Sequence, residues 1–163
     1  MQRKRVIMDD KTNVTRILDQ KKIKYTYYTF DTDKALSAEE VALKINKSVT
    51  NVYKTLVTIG KTNKNYCFIV PALKELDLKK AASSVNEKYI EMIHQKELLP
   101  LTGYIHGGCS PIGMKKILPT VIDISAEKLD SIIVSAGRIG AQIELSLNDL
   151  RKVINVRSFD ITK

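Results

Sequence analysis

A chain of 163 residues with 44% hydrophobic and 28% charged residues has the composition of one globular domain, residues 1–163. That apolar content excludes charge-driven disorder, and runs as short as Ile132-Ile133-Val134 exclude an apolar membrane-spanning helix. The formal charge of +9, from 27 Lys+Arg against 18 Asp+Glu, favours encounter with polyanions, although interspersed charges also solvate ordinary surfaces. The basic N-terminal extension, residues 1–11 (MQRKRVIMDDK), lacks a following apolar stretch and does not read as a signal peptide. Cys67 and Cys109 have a spacing that requires no disulfide, which points to cytoplasmic thiols and a cytoplasmic protein.

Asn13 is expected to cap a short helix carrying Val14, Ile17 and Leu18 on one side. Lys24 to Phe30 reads as a strand. Ser37 fits an N-cap with Glu40 at the reciprocal capping-box position, and Val41, Ala42 and Ile45 supply the apolar stripe of a helix ending near Asn46. Asn51–Ile59 and Tyr66–Val70 form a hairpin around the polar turn Gly60–Asn65, stopped by Pro71. Asp77 caps a helix from Leu78 to about Val85. Tyr89–Met92 reads as a short strand and Lys96–Leu99 as a brief helix. Strands follow at Thr120–Ile124, Ser131–Ser135 and Ala141–Leu145, and Ser146 caps a last helix with Leu147, Leu150 and Ile154. The tail from Val156 to Lys163 carries no decisive pattern. Strands mixed with short helices imply an α/β domain or a partly closed barrel.

No metal site and no cofactor motif is evident. His94 and His106 stand twelve positions apart, and Cys109 near His106 lacks the further ligands zinc needs. Neither the Walker loop nor the dinucleotide fingerprint matches the glycine spacing of GYIHGGCSPIG. Lys54, in the strand-like run VYKTLV, either faces solvent or enters a pocket, where its ammonium would hold a phosphate or a developing oxyanion. The loop Gly103–Gly113 is either a surface turn or a concavity of inward amides. Cys109 with His106 three residues away suggests a thiol nucleophile, but only if the fold brings the two within hydrogen-bond reach. Lys115, Lys116 and Arg138 are candidate phosphate contacts, and Tyr25-Tyr27-Tyr28-Phe30 is either core packing or a stacking surface.

Six blocks, in order, resemble the YbaK family of aminoacyl-tRNA deacylases, related to the editing domain inserted in bacterial prolyl-tRNA synthetases. They are VYKTLV (Val52–Val57), LDLKKAA (Leu76–Ala82), TGYIHGGCSPIG (Thr102–Gly113), KKILPTVID (Lys115–Asp123), IIVSAGRIGAQIEL (Ile132–Leu145) and SLNDLRKV from Ser146. The resemblance implies a mixed sheet curled into a partly closed barrel with surrounding helices. It implies hydrolysis of the ester joining an amino acid to the terminal adenosine of tRNA, with cysteine on proline tRNA as the closest pattern. It places the family lysine at Lys54 and the pocket loop at Tyr104, Gly107, Gly108, Ser110 and Pro111, with the Gly107 and Gly108 amides contacting the carbonyl or oxyanion. Ser135 and Gly137 fall on a later strand-end block, and Tyr53 on the pocket rim.

The chain departs from the family pattern at two positions. Gln142 stands where many members carry Asp, so it brings hydrogen bonds without charge. Phe30 replaces an expected pocket tyrosine, for which Tyr28 is a candidate substitute. The implied partners are aminoacyl-tRNA, namely proline tRNA, and prolyl-tRNA synthetase, with no membrane; a homodimer is left open. The implied chemistry is attack by the substrate's own thiol, with orientation and oxyanion stabilisation supplied by the protein. Two alternatives are an alanine-preferring deacylase using water and a non-catalytic module that binds tRNA or the synthetase.

Overall fold

The computed structural model describes residues 11–163. The basic extension therefore lies outside the described residues, apart from Lys11. Helix α1 runs Asn13–Gln20, and its cap is Thr12, one residue before the expected Asn13. Thr12 and Thr15 each accept a bond from the other's backbone N–H, at 3.3 and 2.9 Å, a reciprocal pair that Asn13 has no counterpart for. Strand β1 is Thr26–Thr29, and α2 is Ala38–Ile45. Ser37 and Glu40 form the expected capping box, and Asn46 closes α2 in the left-handed region at φ 58°.

Strands β2 (Tyr53–Gly60) and β3 (Asn65–Pro71) form the expected hairpin, with Lys54 opposite Val70. Asp77 caps α3, Leu78–Ser84, by accepting from the amides of Lys79 and Lys80. β4 is Ile90–Met92. Helix α4, Gln95–Thr102, passes through Pro100 and ends at Gly103, beyond the expected stop at Leu99. Then come β5 (Thr120–Asp123), a 3-10 turn at Ile124–Lys128, β6 (Ile132–Ser135), β7 (Ala141–Leu145), α5 (Leu147–Arg151) and β8 (Val156–Phe159).

The strands form two sheets, ordered β1-β7-β6 and β4-β2-β3-β5-β8. The first is antiparallel; the second adds two parallel pairings, β3 with β5 and β5 with β8, to its antiparallel hairpin. The expected curling into a partly closed barrel is replaced by these two open sheets, joined at the parallel bridge between Val52 and Ile133. Closure needs strands that keep pairing around the whole curve. β1 and β6 have four residues each, and among the described residues β6 bridges to the second sheet only at Val52, the residue before β2 begins.

The main core lies between the sheets, where Tyr53, Val57, Cys67 and Ile69 meet Ile132, Val134 and Ile143. A second cluster packs Phe68, Val70 and Val121 under α3, and a third packs Tyr28, Phe30 and Val52 under α2. On the first sheet, Glu144 accepts from Tyr28 Oη at 2.7 Å and Ser131 Oγ at 2.5 Å, with Lys47 Nζ at 3.4 Å. Burial raises this carboxyl, but the bonds from Ser131 and Tyr28 and the Lys47 charge outweigh it and leave it below its ordinary value. A carboxyl held low when folded stabilises the protein above its unfolded value, 4.5, and loses that contribution as pH falls through the folded value. Glu144→Gln is therefore expected to lower stability at neutral pH by roughly 1–2 kcal/mol. The deficit relative to wild type should shrink in urea melts taken progressively below about pH 4.5.

Candidate active site

β2 starts where the two sheets meet, and the loop from α4 to β5 folds over that junction. Between them is a cavity of about 320 Å³. Six of the residues that the family resemblance assigned to the site border it: Phe30, Tyr53, Lys54, Gly107, Ser135 and Gln142. Leu36, Val41, Leu98 and Ile139 give the same space apolar walls. Gly107 lies against the Ala35 side chain, where a Cβ would sit 2.8 Å away, so the loop closes on the segment leading into α2.

The wall is positive. Lys54 is half-buried and makes no ion pair or side-chain hydrogen bond with any described residue. Beside it the lining includes His106 and, among the described residues, no Asp or Glu. Gln142 is 9% exposed, sits opposite Ser135 on β6 and Tyr28 on β1, and its amide has no partner among the described residues. Ser135 Oγ accepts from the Gly137 amide at 3.1 Å, leaving its proton free to donate. Tyr53 Oη pairs with Ser125 Oγ at 2.8 Å.

The other candidates lie elsewhere. Gly108 is pressed against the Arg138–Ile139 backbone, and its amide donates to the Ile105 carbonyl at 3.0 Å. That amide is already used. Among the described residues, the loop residues on the cavity whose amides have no partner are His106, Gly107 and Cys109. Tyr104 is buried in the main core and donates to the Ile112 carbonyl at 2.5 Å, while Ser110 Oγ accepts from the Ile112 amide at 3.3 Å. Both shape the loop from behind. Gly137 packs against the Tyr104 ring. Pro111 borders a separate apolar groove with Ile17 and Ile117. Lys115, Lys116 and Arg138 are exposed and outside the cavity. Tyr28 does not stand in for the missing pocket tyrosine, because its hydroxyl is bound to Glu144.

Cys109 and His106 both border the cavity. Burial pushes the Cys109 thiol up to about 12, so it is protonated at neutral pH and not a ready nucleophile. No group of three or more His, Cys, Asp and Glu suited to a metal occurs among the described residues.

Sequence reasoning passed over Thr55. Its Oγ1 is buried without a partner, and it borders the cavity beside Lys54. Strand alternation sends neighbours to opposite faces, so choosing Lys54 for the pocket argues against Thr55. Both reach the cavity because the strand begins at the sheet junction. A buried hydroxyl left unpaired costs roughly 1–3 kcal/mol, a cost removed when a ligand supplies the bond.

Residues 32–153 match the family model described as the aminoacyl-tRNA editing domain, and the chain belongs to that family. Its sequence is 43% identical, over 153 residues and 93% of each chain, to the putative Cys-tRNA(Pro)/Cys-tRNA(Cys) deacylase EbsC of Enterococcus faecalis (strain ATCC 700802 / V583). Solved structures share the fold. A putative trans-editing enzyme for prolyl tRNA synthetase aligns with TM-score 0.80 at 22% identity, over 93% of this chain and 98% of that one. A hypothetical protein aligns at 0.85 and 18%, over 93% and 100%. No described helix is long and apolar enough to cross a membrane.

Proposed function

We propose that this chain hydrolyses mischarged aminoacyl-tRNA, with cysteine attached to proline tRNA as its principal substrate. The observation that carries the reading is Lys54, an ammonium uncompensated by any described residue in a cavity also bordered by three loop residues with unpartnered amides, His106, Gly107 and Cys109. Those groups suit an ester that develops negative charge on its carbonyl oxygen next to a phosphodiester chain. The Gly107 and Cys109 amides are assigned to the oxyanion, and Lys54 to that oxygen or the phosphate of the terminal nucleotide. Phe30, Tyr53, Ser135 and Gln142 hold the aminoacyl group. Tyr104, Ser110, Pro111, Gly108 and Gly137 keep the loop and the strand end in place. Lys115, Lys116 and Arg138 are assigned to phosphates further along the acceptor strand.

In the cysteine reaction the substrate thiol gives up its proton, and its sulfur attacks the ester carbonyl carbon. The tetrahedral oxyanion collapses, the carbon–oxygen bond to the ribose breaks, and the ribose oxygen takes a proton. Water then opens the cyclic thioester. No protein nucleophile is needed, in keeping with a protonated Cys109. Membership of the aminoacyl-tRNA editing family supports prolyl-tRNA synthetase as a partner and the cytoplasm as the place of action.

A deacylation panel tests the reading: Cys-, Ala- and Pro-charged proline tRNA and Cys-charged cysteine tRNA, with and without the synthetase. Release of cysteine from proline tRNA with proline retained is the expected result. Binding of charged tRNA without any release would replace the deacylase by a non-catalytic module. Faster release of alanine would transfer the preference to it. Thr55→Val is expected to slow cysteine release about tenfold, the worth of one hydrogen bond. Its melting temperature should be unchanged or higher, since the unpaired hydroxyl is gone. Wild-type release by this variant would take Thr55 out of the substrate contacts.

A further inference from the structure

An aminoacyl ester carries an α-amine that titrates near neutrality, at about 7.7–8.0 in ordinary peptides. The cavity presents Lys54 to it and, among the described residues, no carboxylate in return. An ammonium entering there exchanges water for a wall of its own charge, whereas a neutral amine meets hydrogen-bonding groups. Gln142 supplies them. Its nearly buried, unpartnered amide offers an acceptor and donors without charge.

Charged and titratable neighbours leave this balance in place. Along β7, Glu144 does not border the cavity, and its carboxylate is held by Tyr28, Ser131 and Lys47. From β2, Tyr53 is bonded to Ser125. From the loop come His106 and the protonated Cys109. Asp31, Asp33, Lys34 and Glu39, on the segment leading into α2 and its first turn, are exposed and outside the wall, as is Arg138 beside Ile139.

We propose that Gln142 makes this site selective for the aminoacyl ester in its uncharged-amine form. A carboxylate at the same position would select the ammonium. The inference rests on the deacylase reading and names the protonation state of its substrate.

Two non-hydrolysable ligands test it by calorimetry: 3′-amide-linked cysteinyl adenosine, and its counterpart with an α-hydroxyl in place of the amine. Titrations of the protein that do not couple to the ligand's charge act on both ligands alike, so the difference between them reports the amine and the groups that sense its charge. Wild-type protein is expected to bind the amine ligand about tenfold more weakly per pH unit below the amine's own pKa. The hydroxyl ligand should vary little over the same range. Gln142→Glu, shown to be folded by its thermal melt, should bind the amine ligand at about pH 6 at least as tightly as at about pH 8.5. Parallel pH profiles for the two ligands on the wild-type protein overturn the proposal, and that comparison needs no variant. If neither ligand binds and the panel shows no cysteine release, the deacylase reading fails and takes this inference with it. Release with parallel profiles overturns the inference alone.

Discussion

Lys54→Ala is expected to lower kcat/KM for cysteine release from proline tRNA by about two to three orders of magnitude, the usual effect of removing one well-placed oxyanion donor. Its melting temperature should stay within about 2 °C of wild type. The reason for the second expectation is structural. Lys54 makes no ion pair or side-chain hydrogen bond with a described residue, so truncation breaks no such contact of the folded state. It also removes a positive charge from a cavity that no described Asp or Glu borders. Lys54→Arg keeps the charge but spreads it over a planar fork, and is expected to recover only part of the loss. Single-turnover deacylation beside thermal melts makes the measurement. An alanine variant that releases cysteine at the wild-type rate would remove Lys54 from the mechanism, and with it the central assignment of the site.

Gly140→Ala is expected to destabilise the fold by roughly 2–4 kcal/mol, combining left-handed backbone strain with a steric clash. Gly140 has φ 87°, and an added Cβ would lie 2.6 Å from the Phe30 carbonyl oxygen. That oxygen belongs to backbone already fixed, since the Phe30 amide donates to the Gly140 carbonyl at 2.9 Å. Neither chain can retreat without opening the turn that brings β7 back beside β6. Gly103 is the control. Its φ is 84°, but the nearest atom to an added Cβ is Lys115 Cβ at 3.9 Å, so Gly103→Ala should cost only the backbone term, about 1 kcal/mol. Urea melts of the two variants separate strain from clash. Equal losses would show that the contact with Phe30 relaxes freely. Because Phe30 and Gly140 both border the cavity, Gly140→Ala should also slow deacylation under conditions where the protein remains folded.

Short-range chemistry wrote much of the architecture into the sequence. The Ser37–Glu40 box, the Asp77 and Ser146 caps and the β2–β3 hairpin depend on atoms within a few residues of one another, and their residue types announce them. The order of the glycine-rich and lysine-bearing blocks carried the family resemblance. Tertiary structure decided what depends on distant partners. β8 exists because Val156–Phe159 lies parallel to Thr120–Asp123, a pairing no local pattern encodes. The sheets stayed open because the described backbone of β6 pairs with the other sheet at one bridge and otherwise meets it through side chains. Within the glycine loop, the Ile105 carbonyl takes the Gly108 amide and leaves those of His106, Gly107 and Cys109.

All the catalytic assignments require the Lys54 ammonium and the Gly107 and Cys109 amides to serve the same substrate oxygen or its adjoining phosphate. A crystal complex with an aminoacyl-adenosine analogue seated away from that β2 side chain would undo them. The sequence by itself settled which chemical groups are available, because residue type fixes charge and hydrogen-bonding capacity. Only the tertiary structure decided which remain unspent, because that depends on the neighbours each group acquires when remote segments pack.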